Sequence, residues 1–199
     1  MDIHDFLRSR RSIRRFKPDP IPKPLVERLL STAVYAPSAH NRQPWRFAVV
    51  QGKDAKTRLA GAMANEFRRD LLADNMPSAD VEVRVEASRS RILSSPLVVV
   101  VCLDMSEMDA YPDARRREAE RMMAIQSTAG AALQLLLAAH AEGLAGVWTC
   151  GPLFAPQAVR AALDLDPAWE PQALLLIGVP NQTPHVKDLK PMDEIVRWM

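Results

Sequence analysis

Basic side chains crowd one short stretch near the start of the chain. Arg8, Arg10, Arg11, Arg14, Arg15 and Lys17 put six positive charges into ten residues. Ile13 and Phe16 lie among them as apolar anchors that would fix the alternate arginines in place. Fixed guanidiniums around Ser12 make a receptor for a phosphate monoester, since paired arginine N–H groups match phosphate oxygens in direction as well as charge. The same charges would also suit a nucleic-acid backbone or a solvated surface. A second stretch, Pro37-Ser38-Ala39-His40-Asn41-Arg42-Gln43-Pro44-Trp45, holds amides and hydroxyls between prolines. Such groups can read the edge of a planar heterocycle, or form an ordinary loop. A third, Trp148 to Phe154, falls just past a strand end, where backbone amides can face a ligand and Gly151 permits close approach. Cys150 within it reads as a nucleophile or, more commonly for a lone cysteine in an apolar strand, as inert packing.

Other chemistries find little support. The four histidines are scattered without partners at metal-ligand spacing, so no metal is expected. No Gly-x-Gly-x-x-Gly and no P-loop is present, which disfavours a Rossmann cofactor site or a nucleoside triphosphatase. Two cysteines, Cys102 and Cys150, are too few for a disulfide framework. A net charge of +2 gives no global pull toward nucleic acid. With no signal peptide, lipidation signal or membrane span in view, a cytoplasmic protein is expected.

These stretches need elements to hold them. At 199 residues, 48% hydrophobic and 25% charged, the chain reads as one domain over 1–199. A first helix is expected over 2–9 with Asp2 as its cap, then a second over about 24–36. Trp45 to Gln51 reads as a strand, and 54–75 and 79–95 as two amphipathic helices split at Pro77. Leu97 to Leu103 is a continuous β-branched run, the signature of a central strand buried on both faces. Arg115 to Glu142 is one helix about 40 Å long, with Gly143 as its left-handed stop. Its second half is apolar on every side, so burial on every side is expected, as the spine of a domain or of a dimer sharing one core. Strands at 145–150 and 172–179 flank a helix at about 156–163, and a proline-bounded tail ends the chain. Strands and helices mix without a strict βαβ rhythm, which gives α+β as the fold class.

The first two stretches, together with the order of the later elements, resemble the nitroreductase family of flavin-dependent oxidoreductases. Arg10-Arg11-Ser12-Ile13-Arg14-Arg15-Phe16 and Pro37 to Trp45 stand at that family's usual spacing. The long helix, Trp148 to Phe154 and Ile177-Gly178-Val179-Pro180 continue the pattern. The resemblance implies a mixed sheet flanked by helices, FMN at the interface of an interlocked homodimer, and the long helix packed against its mate. It implies that Arg10, Arg11 and Ser12 hold the FMN phosphate and ribityl chain, with Arg14 near the pyrimidine edge. Pro37, Ser38, Ala39 and Asn41 would reach the flavin from the other subunit, and the backbone at Cys150 and Gly151 would face its reactive edge. In the tail, Lys187-Asp188-Leu189-Lys190-Pro191 has leucine where the family carries a basic residue, so phosphate binding there rests on Lys187 or Lys190. No side chain is singled out as a proton donor.

Around His40, Arg42 and Met123 to Ser127 the wording is similar to the branch tied to making the deazaflavin coenzyme. In some bacteria that branch is the carboxy-terminal domain of a glutamate ligase protein; the ligase activity is not carried over. The resemblance thus implies hydride transfer from reduced flavin to a deazaflavin coenzyme or its dehydro precursor, with NAD(P)H as a further co-substrate. The surplus cations Arg42 and Arg115 to Arg117 would meet the acceptor's negative charges. The alternatives are a general NAD(P)H-dependent nitro or quinone reductase and a non-turnover flavin or deazaflavin carrier.

Overall fold

The β-branched run becomes the middle of a sheet. In the computed structural model, which describes residues 2–199, the strands are β1 (Trp45–Val50), β2 (Leu97–Asp104), β3 (Ala145–Thr149) and β4 (Trp169–Gly178). They lie in the order β1-β2-β4-β3, and every neighbouring pair is antiparallel. The expected mixed sheet survives only as one parallel bridge, Ser12 to Gly146, where the basic segment runs beside β3. All eight residues of β2 are buried, which explains why no polar alternation shows in that strand.

Because successive strand residues face opposite sides, β2 and β4 serve two cores. Leu97, Val99, Val101, Ala173, Leu175 and Ile177 pack against α2 (Lys23–Ala33) and α5 (Ala114–Ala141). Val98, Val100, Cys102, Leu174 and Leu176 pack on the other side against α3 (Lys53–Ala73), α4 (Ser78–Ser94) and α6 (Pro156–Leu163). Pro171 is tolerated in β4 because the pairing slips between Val101 and Cys102, a bulge where a missing N–H is harmless. The short helices α1 (Ile3–Ser9) and α7 (Met192–Ile195) lie near the chain ends.

α5 runs for 28 residues. Asp113 caps its start by accepting from the Arg116 N–H at 3.0 Å. At its end Gly143 adopts φ +73°, and the Leu144 N–H returns to the Ala139 carbonyl, so the expected glycine stop closes the helix. The expectation of burial on every side is corrected. Ala131, Ala132, Leu135, Leu136 and Ala139 are buried, but Met122 is 52% and Leu133 48% exposed. One chain covers one side of this helix and leaves a stripe open. By length and composition α5 could cross a membrane (mean hydropathy 1.4), yet half of that window is buried against the domain, as in a core helix.

Other boundaries shift for local reasons. α2 ends at Ala33 rather than Ala36, because the residue before Pro37 is driven out of helical geometry and the last turn loosens. Asp2 stands at the cap position of α1 but its side chain makes no capping bond. β3 stops at Thr149, so Cys150 lies outside the strand and is exposed, contrary to the packing expected of it. Lys56, set in a helix read as merely amphipathic, is buried and donates to the Ser95 and Pro96 carbonyls at 2.5 and 3.0 Å. Its charge thereby meets the carbonyl end of α4, and burial lowers its pKa.

Where β1 and β2 meet the turn before them, Asp104 is 6% exposed. It accepts from Ser106 N–H at 2.9 Å and Ser106 Oγ–H at 2.5 Å, and pairs with Arg46 at 2.9 Å. Burial by itself raises this carboxyl's pKa, but the bonds from Ser106 and Arg46 outweigh it and hold the value below the usual carboxylate range. The stability this contributes is therefore fully present above about pH 4 and is lost as pH falls through the depressed value. Asp104→Asn should lower stability at neutral pH by about 1–3 kcal/mol, the scale of charge-assisted hydrogen bonds. Urea titrations at pH 7 and pH 3 check this: the gap between variant and wild type should narrow at the lower pH.

Candidate ligand-binding site

The basic segment is held as an extra edge of the sheet. The Ile13 N–H donates to the Gly146 carbonyl at 3.2 Å, Lys17 N–H to Val179 at 2.9 Å, and Asn181 N–H to Arg15 at 3.0 Å. Ile13 is buried and anchors the backbone of the segment, while Arg14 and Arg15 stay exposed. A cavity of about 250 Å3 opens there, lined by Ser9, Arg10, Arg11, Leu136, His140 and Gln182 among others. No aspartate or glutamate lines it. Arg11 folds back on the carbonyls of Arg8 and Arg10, which leaves Arg10 as the guanidinium facing the cavity without such a tether.

The turn before β1 is strained and strongly supported. His40, Asn41 and Gln43 have φ of 49°, 55° and 49°, a left-handed conformation that costs a residue with a side chain about 1–2 kcal/mol. Several bonds hold it. Ser38 Oγ accepts from Gln43 N–H at 3.1 Å, and Ser127 Oγ on α5 accepts from Ala39 N–H at 3.2 Å. The Arg42 guanidinium meets Asp109 at 2.5 Å, and the Asp109 N–H donates to the buried Glu120 at 3.1 Å. Strain of this kind persists where surrounding structure over-determines the backbone, and it concentrates at functional sites. Pro37, Ser38 and Ala39 form one wall of a second hollow of about 340 Å3, and Met123, Gln126, Ser127 and Gly130 of α5 form the other.

Past β3, Gly151 lines a third, largely apolar cavity of about 410 Å3 with Met63, Phe67, Leu71 and Phe154, edged by Glu66, Asp70 and Asp74. A Cβ at position 151 would come within 2.8 Å of Met63 Cε, so a larger residue there needs the flexible end of Met63 to shift. Cys150 is exposed, and its sulfur accepts from the Trp148 indole N–H at 3.2 Å. Among the described residues no group of three or more His, Cys, Asp and Glu side chains is placed to hold a metal.

With this geometry in hand, comparison decides the family. The nitroreductase family model matches residues 7–179. The chain belongs to the nitroreductase family, and with it to the oxidoreductases. An NADH dehydrogenase of Thermus thermophilus is 31% identical over 214 residues, covering 95% of this chain and 92% of that protein. A BluB-like flavoprotein from Clostridium difficile 630 superposes with a TM-score of 0.84 at 21% identity, covering 100% of this chain and 99% of that one. A nitroreductase from Exiguobacterium sibiricum 255-15, solved in complex with FMN, gives 0.79 at 21% identity, with 100% and 98% coverage. The two structural likenesses show the nitroreductase fold.

Within this family member the sequence-marked residues fall into separate places. Arg10 and Arg11 reach the first cavity; Ser12 is tied to its edge by the bridge to Gly146. Arg14 is exposed, and its N–H donates to Gln182 Oε1 at 3.3 Å. Pro37, Ser38 and Ala39 line the second hollow, while Asn41 is exposed on the turn itself. Lys187 and Lys190 are exposed and line neither cavity; the tail reaches the first one through Gln182 and Pro184 instead. The sequence gives no role to Ser127, which ends the Met123 to Ser127 stretch, or to His140 and Glu120. Each sits on α5, where only contact with a segment far away in sequence gives it a role.

The two thiols occupy opposite environments. Burial pushes the Cys102 pKa up to about 12, while Cys150 is exposed. Iodoacetamide at neutral pH should therefore label Cys150 alone in the native protein, with Cys102 reacting only in denaturant, as read by peptide mass spectrometry. Native labelling of Cys102 would contradict the buried strand assignment.

Proposed function

We propose that the protein is a cytoplasmic, homodimeric FMN-dependent oxidoreductase that uses NAD(P)H to reduce a small planar acceptor. One observation carries this reading: the two donor-bearing hollows lie well apart along one helix, one at its middle and one at its last turn. From Ser127 to His140 is about 20 Å along α5 at 1.5 Å per residue. A single chain does not close both around one small ligand. Two chains packed through the open stripe of α5, with their helices antiparallel, would bring the Ser38 turn of one toward the Arg10 cavity of the other.

Apolar surface supports the same assembly. Met122, Ile125 and Leu133 are exposed on α5, and a second copy is the partner with matching apolar spacing. In the tail, Val186, Leu189, Met192, Ile195 and Trp198 fall at every third residue, with exposures from 61% to 97%. An arm so patterned needs a surface to lie on, which fits the interlocked dimer implied by the sequence.

The donor set fits a phosphate-bearing cofactor. Arg10 and Arg11 bring positive charge to a cavity without carboxylates, and Ser9 and Gln182 add neutral hydrogen-bonding groups. These residues would hold the phosphate, with Ser12 beside the ribityl chain. Arg14 would face the pyrimidine edge and favour negative charge there. Ser38, Ala39 and Asn41 would approach from the partner subunit, presented by a backbone too constrained to reorganise. The backbone at Cys150 and Gly151 would border the reactive edge. FMN supplies the redox chemistry, accepting a hydride and passing it on.

The general reductase reading is preferred to the deazaflavin one. Of the cations invoked to meet a polyanionic acceptor, Arg42 is paired with Asp109 and Arg116 with Asp113, each at 2.5 Å. Arg117 donates to the Tyr111 and Pro112 carbonyls. The surplus charge that would suit a deazaflavin is largely engaged within the chain. Mixing the FMN-reduced protein anaerobically with simple quinones and with a dehydro-deazaflavin precursor separates the two: reoxidation by quinones alone is expected, and reoxidation only by the precursor would reverse the preference.

Purified protein should carry flavin at one per chain. Arg10→Ala should weaken FMN binding by about 1.5–3 kcal/mol, as for loss of a charge-assisted hydrogen bond; retention of FMN through dilution as well as wild type would remove Arg10 from the phosphate site. Leu133→Arg tests the assembly by placing a charge in the open stripe. Sedimentation equilibrium should show a wild-type dimer at micromolar concentration and a variant that has lost both dimer and flavin. A folded, flavin-loaded monomer would overturn the shared site.

A further inference from the structure

The first cavity contains a titratable group to which its sequence context gives no role. His140, in the last turn of α5, lines it together with Arg10 and Arg11. Its ring stacks on Phe6 with centroids 4.9 Å apart, and Nε2 lies 2.7 Å from Ser9 Oγ. The Ser9 hydroxyl hydrogen is directed to the Phe6 carbonyl at 2.8 Å. Nε2 is then the donor to Ser9, and Nδ1 is the nitrogen left to take up a proton.

Burial lowers the His140 pKa, and the Arg10 charge lowers it further, with only the Phe6 carbonyl acting the other way. The groups facing the ring are few. From α1 come Ser9 and Phe6; from the basic segment come Arg10 and Arg11; from the tail comes the uncharged Gln182. On its own helix end, Glu142 is turned to Arg28 at 3.4 Å. Asp5 and Arg8, the other charges near this end of α1, do not line the cavity. Burial and the Arg10 charge thus both favour the neutral ring, and among the described residues no carboxylate lines the cavity. A dianion placed among these side chains would reverse that balance.

We propose that His140 is a proton-accepting ligand of this cavity, so that binding of a phosphate monoester dianion beside Arg10 is coupled to protonation of the imidazole, the proton coming from solvent. The proposal rests on the reading that the FMN phosphate occupies this cavity. By linkage, a group whose pKa rises on binding makes affinity fall as pH rises between the free and bound values. The phosphate's own second ionisation, near pH 6, acts in the opposite direction and is nearly complete above pH 7.

Calorimetry of FMN binding in buffers of different ionisation enthalpy reads the proton directly. Wild type should take up a substantial fraction of a proton at pH 7, and FMN affinity should fall about three- to tenfold between pH 6.5 and 8.5. His140→Gln, which keeps a polar group near Ser9, should bind FMN without that uptake and without that fall. Riboflavin, which lacks the phosphate, should show no uptake with either protein. A second measurement uses wild type alone and no flavin. The His140 ring resonances, titrated by NMR in inorganic phosphate and in chloride at equal ionic strength, should show a higher pKa in phosphate. Equal proton uptake by wild type and His140→Gln, or an unmoved His140 titration in phosphate, overturns the proposal while leaving the FMN reading intact. Failure of wild type to bind FMN, with His140 still responding to phosphate, overturns the FMN reading and keeps the anion-coupled histidine.

Discussion

A helix that is apolar around more of its circumference than one chain can cover is the constraint on which the rest of this structure depends. α5 buries Ala132, Leu135, Leu136 and Ala139 against the sheet and α2, and Ala131 against Ala36 and Trp45, and this side fixes the domain. The side with Met122 and Leu133 is left about half exposed by the described residues. Exposed area of this kind is costly in water, at about 25 cal/mol per Å2, so a partner surface is favoured over solvent. The same helix carries Ser127 at its middle and His140 in its last turn. Packing and site geometry are therefore not separable. Whatever covers the open stripe also decides which hollow meets which.

The second dependence is electrostatic and local. Three left-handed residues in one turn are unfavourable by themselves, and their neighbours Ala39, Arg42 and Pro44 tie the turn to groups already fixed. Ser127 is fixed by helix, Asp104 by the end of the central strand, and Asp109 by the buried Glu120. Asp104 matters twice here, since its N–H donates to the Pro44 carbonyl at 2.8 Å while its carboxylate holds Arg46. The turn is thereby a rigid object rather than a loop that orders on binding. A ligand that uses its amides would not have to supply the ordering free energy that a mobile loop demands.

How much of this is legible in the sequence depends on whether the cause is local. The β2 run, the Gly143 stop, the split at Pro77 and the anchoring of the basic segment by Ile13 are readable because each rests on residues within a few positions. The antiparallel pairing is not, since strand direction is set by how the crossover helices pack. Periodicity overstates the burial of α5 because it reports apolarity, not what is available to cover it. The family motifs mark Arg10, Ser38 and Gly151. They assign no role to Ser127, Glu120 or His140, whose contacts are with residues 88, 11 and 131 positions away. Cys150 departs from its expected packing because one residue of strand length decides whether it turns inward or stands in the open.

Charge is distributed unevenly between the hollows, and this bears on what they accept. The Arg10 cavity has cations and no carboxylate, whereas the cavity at Gly151 is apolar with Glu66, Asp70 and Asp74 along its edge. Arg69 meets Glu66 at 2.5 Å and Asp70 at 3.2 Å, which offsets part of that negative charge. An anionic ligand is thus drawn to one cavity and repelled from the other. The cavity at Gly151 is lined by Met63, Phe67 and Phe154. There aromatic and thioether surfaces favour a flat, uncharged partner, and the acidic edge works against a polyanion. The polarity of that cavity thus favours an uncharged ligand over a polyanionic one.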